Sequence, residues 1–199
     1  MPERTLIFLP GFMAAPSAYS ALLTPVMMAG WHVIVPQLYP RGLPALLGKY
    51  SVRDEAAAAA ALVSGRCVIG GHSRGGQAAW LAAGMSDVAG VVLVDPVDGQ
   101  GRRPSGPVST AQPAGFSAPC LVIGAGKGGR CAPAEVNYEH FTAATPTATE
   151  VVIPELGHAD VLEGRAGAFG RRVCGGAADP TAARRHVAEL ILGFVNDAT

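Results

Sequence analysis

The sequence predicts a single α/β domain in which a mostly parallel sheet of about six strands carries helices on both faces. Two observations carry that reading. Short apolar runs rich in Val, Ile and Leu alternate along the chain with longer stretches of helical character. Each run is nearly all apolar, as a strand covered on both faces must be. A third observation sets the scale: 199 residues at 49% hydrophobic content suffice for one buried core and not for two, so residues 1–199 are read as one minimal domain.

The predicted strands are Thr5 to Leu9, His32 to Pro36, Cys67 to Gly70, Val88 to Val94, Pro119 to Gly124 and Glu150 to Ile153. Between the second and third, Ser51 stands three residues before Asp54, a helix-capping arrangement, and opens an alanine-rich helix that ends near Gly65. A helix follows the third strand from Gln77, and Glu135 starts another after Pro133. The last begins at Asp179-Pro180, a cap with proline at the first helical position, and repeats Ala183, Val187, Leu190, Ile191 and Phe194 at intervals that put them on one face. Gly99 to Ala118, rich in Gly, Pro and Ser, reads as one long surface loop, too short to fold into a lid.

Fifteen basic and fifteen acidic residues cancel, and no Lys/Arg run exceeds a pair, so a nucleic-acid partner is not expected. No secretion signal or membrane span is visible, which predicts a soluble cytoplasmic chain, expected to be a monomer. No metal or cofactor motif is present. Cys67 and Cys120 lie in apolar runs and read as buried hydrophobes. Cys131 and Cys174 fall in loop-like sequence where a bridge is conceivable, but a reducing cytoplasm argues against one.

The chemistry concentrates at Gly71-His72-Ser73-Arg74-Gly75-Gly76, a G-x-S-x-G pattern between a strand and a helix. A tight strand-to-helix turn exposes a serine hydroxyl only if its neighbours are almost without side chains, so Ser73 is the candidate nucleophile, bracketed by Gly71 and Gly75. A serine hydroxyl needs a histidine to take its proton and a carboxylate to orient that ring. Of five histidines, His158 follows the last strand, at the sheet edge that holds the nucleophile; His32 begins a strand, His140 and His186 lie in helices, and His72 packs beside the turn. Asp95, at the end of the strand Val88 to Val94, is the preferred acid, with Asp98 in reserve; Asp160 is read as organising its own turn. Backbone N–H groups of Arg74 and of Phe12, or else Met13, would receive the negative charge of a tetrahedral intermediate. Met13, Tyr39 and Asn137 are candidate substrate contacts, while Trp80 and Phe141 are placed no further than pocket or core.

With these residues in place the chain resembles the chlorophyllases, α/β-hydrolases that cleave the phytol ester of chlorophyll. The resemblance runs from Leu6 to about Phe194 and rests on Leu9-Pro10-Gly11-Phe12, Val35-Pro36-Gln37-Leu38-Tyr39, the serine motif, Asp95-Pro96-Val97-Asp98-Gly99, Cys131-Ala132-Pro133, Val136-Asn137 and Gly157-His158-Ala159-Asp160-Val161-Leu162. It implies a compact α/β-hydrolase fold and the same triad of Ser73, Asp95 and His158. The chain departs from the family where Pro10 and Tyr138 stand in place of histidines, and it is shorter, lacking the opening strands. Three other readings stand beside pigment cleavage: an esterase or lipase-like enzyme for smaller esters, an acyltransferase, and a binding module on the same scaffold.

Overall fold

The computed structural model describes residues 4–40, 42–44, 51–99 and 107–198. Six parallel strands form one sheet in the order β2-β1-β3-β4-β5-β6: β1 (Thr5–Leu9), β2 (His32–Ile34), β3 (Cys67–His72), β4 (Gly90–Val94), β5 (Cys120–Lys127) and β6 (Ala148–Gly157). Alternation along each strand builds two apolar layers. Leu6, Phe8, Val68, Val92 and Ile123 face α1 (Ser20–Met28) and α6 (Pro180–Asp197), whose Leu22, Val26, Val187, Ile191 and Val195 are buried there. Ile7, Leu9, Ile69, Val91, Leu93 and Val122 face α2 (Val52–Ala60), α3 (Arg74–Ala83) and α4 (Tyr138–Ala144). This is the α/β-hydrolase architecture expected, and it brings the carboxyl ends of β1, β3, β4 and β6 to one edge.

The helix caps follow the sequence. Ser51 Oγ accepts the N–H groups of Arg53 and Asp54 at the start of α2, and Asp179 Oδ1 accepts those of Thr181 and Ala182 at the start of α6. The helix expected from Glu135 instead begins at Tyr138, because Asn137 Oδ1 caps it by accepting the Glu139 N–H. Of the predicted surface loop, residues 100–106 lie outside the described residues, and 107–118 carry turns without a helix or strand.

Two corrections concern the region after β6. The loop-like sequence there folds into α5 (Gly164–Cys174), which is not a surface loop, and Cys174 is its last residue. Its glycines are what let it pack: a Cβ on Gly167 would sit 2.3 Å from the Leu162 carbonyl oxygen, and one on Gly170 would sit 2.5 Å from the Ala159 Cβ. Cys131 and Cys174 are bonded, with Cα atoms 5.5 Å apart across a sequence separation of 43. The expectation of free thiols fails because α5 folds back over the end of β5, which no local pattern reveals. Cys67 and Cys120 are buried as expected, and burial pushes their thiols up to about 11 and about 12. No described helix is long and apolar enough to cross a membrane.

Candidate active site

Ser73 follows β3 directly and sits at φ +56°, in the left-handed region that costs a side chain energy. The turn is possible because of its flanks. A Cβ on Gly71 would lie 2.3 Å from the Gly75 carbonyl oxygen, and one on Gly75 would lie 2.1 Å from that of Leu9, so neither position admits a side chain without moving the backbone. The other non-glycine residues with positive φ among those described are Met13 and Asp95, so all three strained positions fall in the same region.

Asp95 extends the line of β4. Its N–H donates to the Ile123 carbonyl at 2.6 Å, and its Oδ1 accepts the Ala125 N–H at 3.0 Å, which fixes the carboxylate. Its Oδ2 lies 2.6 Å from His158 Nδ1, and His158 Nε2 lies 2.9 Å from Ser73 Oγ. A carboxylate can only accept here, so the ring carries its proton on Nδ1 and presents the Nε2 lone pair to the serine hydroxyl. The three side chains come from the ends of three strands, two of them neighbours, and Asp95 and His158 are buried.

The reserve acid has another task. Asp98 accepts the N–H groups of Val108, Ser109 and Thr110, the Thr110 hydroxyl and the Gln77 amide, and so pins residues 108–110 beside the site. Burial alone would raise its carboxyl, but those donors outweigh burial and hold it below its ordinary value. Asp160 organises its turn as expected: Oδ2 accepts the N–H groups of Gly157 and Ala177. Arg184, from α6, donates to the carbonyls of Asp160 and Leu162 and clamps the same segment.

The loop after β1 closes with the Ala14 N–H donating to the Gly11 carbonyl, leaving Phe12 and Met13 at its tip. The Gly11 N–H is taken by the Tyr19 hydroxyl at 2.8 Å, while the N–H groups of Phe12 and Met13 have no acceptor among the described residues. Arg74 begins α3, so its N–H belongs to the amino end of a helix aimed at the same space.

Beside Ser73 lies a cleft of about 610 Å³. Phe12, Met13 and Leu162 line it with the face of α5 that carries Ala166, Phe169 and Val173, and the Cys131–Cys174 bridge lines the end where α5 stops. Phe169 and Val173 are 71% and 52% exposed, an apolar rim at the mouth. Of the expected substrate contacts, Met13 is among the lining residues and Tyr39 and Asn137 are not: the Tyr39 ring lies 5.7 Å from that of Phe12 and under the Arg74 guanidinium at 4.1 Å, while Asn137 Oδ1 caps α4. Trp80 and Phe141 fill the core, with Trp80 Nε1 donating to Thr145 Oγ1.

Sequence reasoning missed three parts of the site. Glu55 lies 3.2 Å from the Arg74 guanidinium, and burial raises its carboxyl to about 7 against the pull of that cation. Tyr19 and His72 form a buried hydrogen-bonded pair behind His158. Helix α5 supplies one whole side of the cleft.

A family model for chlorophyllase matches residues 4–199. Chlorophyllase-2 of Arabidopsis thaliana is 28% identical over 233 residues, covering 96% of this chain and 71% of the relative. Chlorophyllase type 0 of Chenopodium album is 30% identical over 190 residues, covering 79% of this chain and 55% of the relative. Among solved structures, a ferulic acid esterase from Streptomyces cinnamoneus superposes with a TM-score of 0.71 at 18% identity, over 99% of this chain and 67% of that one. A thermophilic esterase from Thermogutta terrifontis gives 0.70 at 18% identity, over 98% and 90% of the two chains. These structural likenesses speak for the fold.

Proposed function

This chain belongs to the chlorophyllase family, and from that membership we propose that it is a serine carboxylic-ester hydrolase with Ser73 as nucleophile, His158 as general base and acid, and Asp95 as the carboxylate that orients the imidazole. The observation that carries the reading is the unbroken hydrogen-bonded line from Asp95 through His158 to Ser73 at the mouth of an apolar cleft.

In the proposed reaction the Ser73 hydroxyl oxygen attacks the ester carbonyl as its proton passes to His158 Nε2. The carbonyl oxygen becomes an oxyanion, received by the backbone N–H groups of Phe12 and Arg74, a pair worth about 100-fold to 1000-fold in rate per donor. Collapse breaks the bond to the alcohol oxygen, which leaves with the proton held by His158. Water then repeats the sequence on the acyl-serine, giving the acid and restoring the hydroxyl. Asp95 keeps the ring in one tautomer throughout and balances the charge it gains.

The proposed substrate is chlorophyll, cut to chlorophyllide and phytol. A cleft of about 610 Å³ has the size of a small-ligand pocket. A macrocycle would therefore lie outside, against Phe169 and Val173, with only its ester arm within. The same volume favours a second reading, a hydrolase of smaller esters that fit whole. Incubation of the protein with detergent-dispersed chlorophyll a and, separately, with p-nitrophenyl butyrate tests both. Chlorophyllide and phytol as products, lost in Ser73→Ala, would support the first; release of p-nitrophenol with chlorophyll left intact would support the second. If Ser73→Ala leaves either activity in place, the proposed nucleophile is wrong.

A further inference from the structure

Behind the proposed catalytic line runs a second one that the reaction scheme does not use. The Gly11 N–H donates to the Tyr19 hydroxyl oxygen at 2.8 Å, and that hydroxyl lies 2.8 Å from His72 Nδ1. His72 Nε2 in turn lies 2.8 Å from the backbone carbonyl oxygen of His158, with the two imidazole centroids 4.7 Å apart. Both side chains are buried, Tyr19 completely.

The direction of every bond follows. A carbonyl oxygen only accepts, so His72 must donate from Nε2, which leaves Nδ1 as an acceptor in the neutral ring. The Tyr19 hydroxyl then donates to Nδ1, and its oxygen is open to the Gly11 N–H. Each hydrogen bond in the line therefore runs in one sense only, from the Gly11 N–H to the Tyr19 oxygen, from the Tyr19 hydroxyl to His72 Nδ1 and from His72 Nε2 to the His158 carbonyl. Burial and the neighbouring His158 both disfavour the charged form of His72, so the donor and acceptor pattern is kept.

The three elements joined are the ones whose registration an acyl transfer needs. Gly11 opens the turn holding Phe12 and Met13, His72 immediately precedes the nucleophile, and His158 is the base. Gly11 is so close to the strand end that a Cβ on it would lie 3.1 Å from His72 Nδ1 and 3.2 Å from Ser73 Cβ. Tyr19 arrives from the helical turn Pro16–Tyr19, outside all three.

Building on the reading of Ser73, His158 and Phe12 above, we propose that Tyr19 and His72 are positioning residues for ester hydrolysis: one relay that holds the oxyanion-binding turn and the His158 backbone in register, so that transition-state stabilisation depends on both. Tyr19 lies outside the cleft lining, and His72, which borders the cleft, has both ring nitrogens bonded to Tyr19 and the His158 carbonyl, so their effect belongs in kcat.

The test compares wild type, Tyr19→Phe, His72→Gln, His72→Leu and the Tyr19→Phe/His72→Leu double variant on p-nitrophenyl butyrate, at a temperature where thermal melts show each folded. Tyr19→Phe removes one oxygen and keeps the ring. It is expected to lower kcat by about 10-fold to 100-fold, the scale of a small misplacement in an active site, with KM within about twofold. His72→Gln, whose amide can reach the Nε2 position, should retain more kcat than His72→Leu. The double variant should lose little beyond the His72→Leu loss, because one line is cut only once. A Tyr19→Phe enzyme whose kcat stays within about twofold of wild type while its melting temperature falls would overturn the proposal. Losses that multiply in the double variant would overturn it too, and should either His72 variant not fold, Tyr19→Phe alone decides. A wild type inert to every ester would instead bring down the proposed function, and this inference with it.

Discussion

Removing the Cys131–Cys174 bridge, by Cys131→Ser with Cys174→Ser, perturbs stability and the cleft together. The bridge closes a loop with a sequence separation of 43. With n near that value, the chain-entropy relation gives about 4 kcal/mol of stabilisation at 25 °C, acting through the unfolded chain. Urea melts should therefore show the double variant less stable by about 3 to 4 kcal/mol, with an unchanged slope if the denatured chain stays as compact. Wild type in reductant should match the variant. The functional consequence is separate, because Cys174 ends α5 and α5 forms one side of the cleft. Releasing that end should raise KM for esters with bulky groups while leaving kcat on p-nitrophenyl acetate within a few fold, since neither cysteine touches Ser73, His158 or Asp95 in the hydrogen-bonded line. A thiol count on protein unfolded without reductant checks the premise: two reactive thiols, Cys67 and Cys120, are expected. Four thiols, or melts that reductant does not move, would refute the reasoning.

Three further predictions follow from single contacts. Glu55 carries a carboxyl raised from 4.5 to about 7, so the folded chain keeps a proton that the unfolded chain releases between those values, and wild type should lose about 3 kcal/mol as pH rises through that window; Glu55→Gln should lack this loss, and parallel urea-midpoint curves for the two proteins from pH 4.5 to 8 would contradict it. Gly75→Ala drives a methyl to 2.1 Å from the Leu9 carbonyl oxygen and should cost about 1 to 3 kcal/mol in urea melts and about 100-fold in kcat, whereas Gly193→Ala on α6, with open space around it, should gain up to about 1 kcal/mol. Phe169→Asp replaces the most exposed part of the apolar rim and should cut kcat/KM for long-chain esters by about tenfold relative to acetate esters; an equal effect on both would remove α5 from substrate binding.

What the sequence discloses about this fold is set by how local the cause is. The inner strands β1, β3, β4 and β5 are visible because a sheet covered on both faces demands an apolar run, while the more exposed edge strands β2 and β6 show only short apolar stretches, and the ends slip by a few residues because hydrogen bonding to a neighbour, as in the extension of β3 to His72, continues past the apolar stretch. The serine turn is readable from Gly71 and Gly75 because they bracket Ser73 within five residues, although what excludes a side chain at Gly75 is the Leu9 carbonyl at the end of the neighbouring strand. Asp95 and His158 follow from strand order, since parallel strands deliver their ends to one edge. Helix α5 escapes that logic: Gly164, Gly167 and Gly170 lower its propensity, and while Gly164 opens the helix at φ +62°, Gly167 and Gly170 are there because the helix must lie against Leu162 and Ala159. The disulfide depends on where α5 docks, and is hidden for the same reason. The Tyr19–His72 line joins residues 53 apart and reaches 86 residues further on, so nothing in the neighbourhood of either residue announces it.

Ester hydrolysis at this site requires that Ser73 be activated by its neighbours. Labelling the intact protein with a fluorophosphonate and locating the adduct by peptide mass spectrometry tests this most directly. The expected result is one adduct per chain, on Ser73, formed at least about 1000-fold more slowly in Asp95→Asn. A protein that stays unlabelled, or carries the adduct on another residue, would contradict it.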